Sequence, residues 1–233
     1  MVQTHVLRSV EVAGLSRAER IAALKEHMVT IDPRAGTASG LKQADYSDPS
    51  LSPIATHPGL AQALRGGGLP RRAVVNISTS SLLASVLIEH ATQAGSLVAV
   101  VGWPELSFAD IEHLERIVAI PDPGQDPWQI AALLCEGIDL VIVNTPIQMN
   151  LGSSRAFMAK VRKGKAGVLN ASSHQIPATL ALQPKINAFY GIGPGVGRIR
   201  GIDLAVQVNY GNAQERRTTV AIGDTAGPQL RVV

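Results

Sequence analysis

Only one cysteine and eight aromatic rings (three Phe, three Tyr, two Trp) occur in 233 residues, so aromatic side chains make up 3% of the chain. A lone thiol excludes a disulfide framework and fits a reducing compartment. Cys135 follows Leu133 and Leu134 and reads as small apolar filler in a helix. Scarce rings force an aliphatic core and argue against readers of single strands that stack bases on exposed aromatics. No apolar run reaches the length of a membrane span and no signal-peptide core opens the chain, so no membrane contact and a cytoplasmic location are expected. Excess charge is missing as well: the formal net is +3, which permits a nucleic-acid or acidic partner without requiring one.

Common enzyme signatures are also absent. The chain has no G-x-S-x-G, no H-E-x-x-H and no cysteine pair, and its six histidines never recur at the spacing that puts two ligands on one helix face. No metal and no cofactor are therefore expected. His90 and His113, each preceded by a glutamate, read as surface positions. The glycines of Gly191-Ile-Gly-Pro-Gly-Val-Gly197 invite comparison with a dinucleotide loop, but Arg198 to Val208 reads as turn and strand rather than helix, so a hairpin is expected.

The residues that are present describe a folded globule: 45% are hydrophobic and 17% charged. Leu15 to Met28 reads as a helical arm within residues 1–31. Ser16 and Glu19 box its start, and Ile21, Leu24 and Met28 lie on one face. The Pro-, Gly- and Ser-rich stretch 32–57 reads as a flexible linker. Residues 58–183 then alternate strands and helices. A short helix over Pro58–Leu64 precedes the strand Ala73–Ser78, a helix from Ser80 or Ser81 to Ala94, and the strand Leu97–Val101. A short helix at Phe108–Leu114 and the strand Ile117–Ile120 come next, then a helix capped by Asp126 with Pro127 at its first position, and the strand Leu140–Val143. A helix over Ser153–Val161 and a strand from Gly167 complete the series. Alternation of this kind means βαβ units, a mostly parallel sheet and helices on both faces. Residues 184–233 change period to two and are separated by Gly-rich turns, which predicts an antiparallel β extension without a covering helix and a tail frayed from about Gly227.

The run Gly67-Gly68-Leu69-Pro70-Arg71-Arg72-Ala73-Val74-Val75-Asn76-Ile77 resembles the opening of the RecA recombinase core, where such a turn leads into the strand ahead of the phosphate loop. Gln93-Ala94-Gly95, Leu97-Val-Ala-Val-Val101, Pro121-Asp122 and Gly137-Ile-Asp-Leu-Val-Ile-Val-Asn144 come after it in the family's order, the last looking like its Walker B strand. This resemblance implies a RecA-like sheet. The departures decide what it does. A phosphate loop needs glycines, a lysine for the β/γ-phosphates and a Ser or Thr for magnesium. Here Ser78-Thr79-Ser80-Ser81 joins strand to helix, with no glycine or lysine between Val74 and Ala94. Asn144 stands where the family carries the aspartate that anchors the metal. Glu105 lies near the place of the water-activating glutamate. A micromolar nucleotide site represents about 8 kcal/mol, and each charge-assisted bond about 1.5–3 kcal/mol, so losing lysine and metal leaves millimolar binding or worse. The six residues Ser78, Thr79, Ser80, Ser81, Glu105 and Asn144 thus form a degenerate nucleotide site, and a pseudo-ATPase is expected.

Short RecA-like (RecA/SulA-type) chains without the Walker lysine include the ImuA-prime type of mycobacterial mutasome accessory protein, which this sequence resembles in organisation. That resemblance implies a non-catalytic scaffold in DNA-damage-induced translesion synthesis. Its partners would be an ImuB-like inactive Y-family polymerase relative and, through the complex, an error-prone C-family polymerase, on the nucleoid after damage. Arg155, Lys160, Arg162, Lys163 and Lys165 form one candidate DNA or partner contact. Arg198, Arg200, Arg216 and Arg217 form another, and Ile21, Leu24 and Met28 a candidate docking face for a partner or a second copy. The rival readings are a diverged DNA-dependent ATPase and a DNA-binding regulator of recombination or cell division in the SOS response.

Overall fold

The structure, a computed structural model, describes residues 51–232 apart from 194, 212 and 213. The expected arm over 1–31 and the linker up to residue 50, with Ile21, Leu24 and Met28, lie outside the described residues.

Four short apolar runs form the heart of the sheet: β1 (Val74–Ile77), β2 (Val98–Val101), β4 (Leu140–Val143) and β5 (Gly167–Asn170), every residue of which is buried. Continuous burial is what strands covered on both faces require. β3 (Ile117–Ile120) is the edge, with its two middle residues exposed. Three longer strands come next, β6 (Leu180–Gly193), β7 (Val196–Asn209) and β8 (Arg216–Gly223), and then the short β9 (Gln229–Arg231). The order across the sheet is β3-β2-β4-β5-β1-β6-β7-β8, with β9 on β6. The first six strands in that order run parallel, and β7, β8 and β9 pair antiparallel. This is the mostly parallel α/β sheet with an antiparallel extension that the strand–helix alternation and the period-two tail predict.

The helices are α1 (Pro58–Ala63), α2 (Ser81–Gln93), α3 (Pro127–Leu134) and α4 (Leu151–Lys163). One face of the sheet is packed by Leu60 of α1, Leu83 and Leu87 of α2, and Trp103, Leu106 and Ile111 of the β2–β3 crossover. The other is packed by Trp128 and Ala131 of α3 and Phe157 and Val161 of α4. Ser80 caps α2, its side chain accepting from Leu83 N. Asn150 Oδ1 accepts from Ser153 N at 2.8 Å and so starts α4 two residues earlier than the apolar periodicity suggests.

Several expectations are corrected. Phe108–Leu114 forms turns and only a 3-10 turn at Leu114–Arg116. Its backbone donors are taken by side chains, Ala109 N by Ser107 Oγ and Glu112 N by Glu89 Oε2, which offers the segment an alternative to helix. The end of the expected linker is part of the fold: Ile54 is 1% exposed and exchanges two 2.9 Å backbone bonds with Leu69. The boundary at 184 falls inside β6, which pairs with β1 through Leu180–Leu182 and with β7 from Ala181 onward, so core and extension share one sheet.

Nor is the extension bare on both faces. α1 packs on β8, and Thr218 Oγ1 donates to Gly59 O at 2.6 Å. A Cβ at position 59 would overlap the Thr219 carbonyl, which explains the glycine. The tail does not fray at Gly227, because β9 registers Leu230 against Phe189. Between the end of β1 and the start of β9, one side of β6 has no strand partner around Pro184 among the described residues. The predicted hairpin at Gly191–Gly197 is present as the β6–β7 connection.

Candidate functional site

In a parallel sheet all strands deliver their chain to the same edge, and here that edge gathers the exits of β1, β2, β4 and β5. It brings Ser78–Ser81, Glu105 and Asn144 to one side of the fold. β1 passes to α2 through only three residues, each with a structural task. Ser78 N donates to Leu182 O at 3.1 Å. The Thr79 hydroxyl donates to Ala171 O at 2.7 Å. Ser80 is the cap of α2, and Ser81 is exposed. The hydroxyls of Thr79 and Ser80, placed where a phosphate loop would face its ligand, are therefore turned to the protein's own backbone.

Asn144 is half-buried and its N–H extends the ladder to Val101 O at 2.9 Å. Gly102, with φ of +72°, sits so close that a Cβ would overlap the Asn144 carbonyl. Glu105 is exposed in the turn after β2. Among the described residues no three His, Cys, Asp or Glu side chains gather to hold a metal ion.

Beneath this edge lies a buried polar chain that sequence reasoning missed. Asn170 Nδ2 donates to Asn76 Oδ1 at 2.9 Å and to His174 O at 2.8 Å. Asn76 Nδ2 donates to Ile176 O at 2.8 Å, and Asn170 Oδ1 accepts from Ser172 N at 3.2 Å. Ser172 Oγ accepts from Thr145 N at 3.0 Å, and Thr145 Oγ1 from Ile147 N. Asn76 and Asn170 are 6% and 1% exposed, and buried amides are tolerable only with partners of this kind. The chain ties the segments after β4 and β5 across the exit of β1. Its signal in the sequence is an asparagine in each of two otherwise apolar strands, Val-Val-Asn-Ile and Gly-Val-Leu-Asn.

The basic residues are distributed differently from expectation. α4 buries Ser154, Phe157 and Val161 and exposes Arg155, Lys160, Arg162 and Lys163. It starts at the strand exits and runs back about 20 Å, so Lys160–Lys165 lie at the opposite edge, where the chain enters β5. There Arg71, absent from either predicted cluster, pairs with Asp139 at 2.8 Å, and Lys165 reaches the same carboxylate at 3.5 Å. Arg72 Nε donates to Gly164 O at 3.0 Å. Burial pushes the Asp139 carboxyl up, but the Leu97 N–H and the Arg71 guanidinium outweigh it and hold the group below its ordinary value.

The register also divides the second predicted cluster. Gly201 is level with Gly223 and Val208 with Arg216, so Arg198 and Arg200 stand about 23–33 Å along the ribbon from Arg216 and Arg217. Arg216 Nη1 donates to Ala63 O at 3.4 Å, and Arg217 pairs with Glu215 at 2.7 Å.

Residues 62–177 match the family described as the MT3502 N-terminal domain. The chain is 28% identical over 201 residues to the uncharacterized protein Rv3395c of Mycobacterium tuberculosis, covering 81% of this chain and 91% of that protein. Among solved structures it is similar to the flagellar accessory protein FlaH of Methanocaldococcus jannaschii, at 12% identity and a TM-score of 0.45, over 74% of this chain and 94% of that one. No helix among the described residues is long and apolar enough to cross a membrane.

Proposed function

We propose that this chain is a non-catalytic scaffold of DNA-damage-induced translesion synthesis, built on a degenerate RecA-like fold that does not hydrolyse ATP. Its partner is an ImuB-like inactive Y-family polymerase relative, which links it to an error-prone C-family polymerase on the nucleoid. The observation that carries the non-catalytic half is the junction between β1 and α2. The Thr79 hydroxyl donates to Ala171 O and the Ser80 hydroxyl accepts from Leu83 N as the helix cap, and the polar side chains at the exit of β4, Asn144 and Thr145, are both uncharged. A triphosphate with its magnesium carries several negative charges, and these two junctions supply neither a lysine to meet them nor a carboxylate to hold the metal. The scaffold half is supported by the RecA-type segment order with its missing lysine.

The test is to co-express this chain with a Y-family polymerase relative from the same cell and size the pair by chromatography. Co-elution at the summed mass is expected. Clean separation into free components would remove the scaffold role and leave the nucleotide argument standing.

A further inference from the structure

We infer that the exposed face and carboxyl end of α4 bind the phosphate backbone of duplex nucleic acid. The surface is assembled from segments far apart in sequence. β1 and β5 are parallel neighbours, so the residues leading into them, Arg71-Arg72 and Lys163-Gly164-Lys165, arrive side by side. Two of these cations, Arg71 and Lys165, share the single carboxylate of Asp139. The four on α4 do not: Arg155, Lys160, Arg162 and Lys163 are exposed and form no ion pair among the described residues. In a chain whose net charge is +3, this concentration does not follow from composition.

The spaces between the charges indicate what they meet. Between Arg155 and Lys160 the exposed positions are Ala156 and Ala159, and the one large exposed apolar side chain of α4, Leu151, stands a turn before Arg155 at the strand-exit end, away from the last-turn cations. Small residues let a sugar–phosphate backbone approach the helix. Arg155 and Arg162 are seven residues apart, about 10.5 Å along the axis on one face. Phe157, the only ring on the helix, is buried edge-on against Trp128 with centroids 5.4 Å apart. With no ring to stack a base, single strands gain nothing over duplex.

The carboxyl end of a helix ordinarily repels anions. Here Lys160, Arg162 and Lys163 occupy the last turn and Arg72 caps the Gly164 carbonyl. Arg72 is the only non-glycine among the described residues with a left-handed backbone, at φ of 55°. Glycine would adopt that conformation without strain, and arginine there covers the Gly164 carbonyl at the helix end. The surface lies a helix length from the strand exits, and the inference does not rest on the scaffold reading.

Fluorescence anisotropy of the full chain with a labelled duplex of about 20 base pairs tests it, against the matching single strand and poly-L-glutamate. Four phosphate contacts predict a log–log salt slope of about −3.6, roughly a 10²-fold loss between about 50 and 200 mM salt. The triple variant Lys160→Gln, Arg162→Gln, Lys163→Gln should lower that slope by about 2.7. Arg198→Gln with Arg200→Gln, on the far hairpin, should leave it unchanged. If the triple variant melts early, Arg155→Gln alone replaces it, with an expected change of about 0.9. Absence of duplex binding at low salt, an equal loss in the hairpin variant, tighter binding of the single strand, or equal capture of poly-L-glutamate each overturns the inference.

Discussion

The rings of His57 and His90 meet edge to face, with centroids 5.2 Å apart and planes at 63°. His57 Nδ1 accepts from Gly59 N at 3.1 Å and so caps α1, a role open only to the unprotonated nitrogen. His90 Nδ1 lies 2.9 Å from Val86 O within α2. Burial lowers the His57 pKa and a charge on His90 lowers it further, against a smaller raising contact with the Ala221 backbone. The folded state therefore prefers neutral His57, while the unfolded chain titrates near 6.5. Stability from this group is complete above about pH 6.5 and is lost as pH falls from there through the lowered folded value. Denaturant midpoints at pH 7.5 and 5.5 should show a decrease comparable to losing a helix cap, about 1 kcal/mol. His57→Asn, which can still cap, should remove most of that step; an unchanged step in the variant would point to another group.

Asn76 and Asn170 should behave as a unit. Asn170→Leu leaves Asn76 Oδ1, His174 O and Ser172 N without their partner, and leaving buried groups unpaired costs roughly 1–3 kcal/mol each. Changing both to Leu removes the two amides from each other's problem. The double variant should be less destabilised than the sum of the singles by about 1 kcal/mol or more. Additive losses in urea unfolding would mean that the two amides are not coupled.

ATP with magnesium should give a flat calorimetric titration and no phosphate release above blank, with or without DNA. Glu105→Gln should change neither reading, because Glu105 has no activated water to serve. Turnover that Glu105→Gln abolishes would establish the ATPase reading in place of the scaffold.

Cys135 is buried at the end of α3, and burial pushes its thiol up to about 12. The thiolate is the reactive form, so alkylation by iodoacetamide at pH 8 should be negligible in the native chain and rapid in guanidinium. Fast labelling of folded protein would contradict the packing around α3.

The parts of the fold that were readable in the sequence share a physical cause. Leu140–Val143 and Val98–Val101 are unbroken apolar runs, Ser80 caps α2 and Pro127 opens α3, so local signals suffice, although Asp126 stands before α3 without a side-chain cap bond. Phe108–Leu114 misled because its pattern is helical while its donors go to Ser107 and to Glu89, a residue far away in sequence. The candidate site was half legible for a similar reason. Ser78–Ser81 and Asn144 stand out by what they replace, whereas Asn76 and Asn170 acquire their meaning only when β1 and β5 lie side by side. Charge clusters were the least legible feature. Arg216 and Arg198 look alike in the sequence, and only the register of β7 with β8 separates them.

The stretch of β6 without a strand partner carries one last implication, for what this protein does when crowded. Leu182 O takes Ser78 N on that side, and alternation turns the backbone of Pro184 the same way, where an imino nitrogen has no hydrogen to offer. A stray strand from another copy therefore finds a slot it cannot stitch itself into. Replacing Pro184 with valine would restore that donor and make the notch a better template for an added strand.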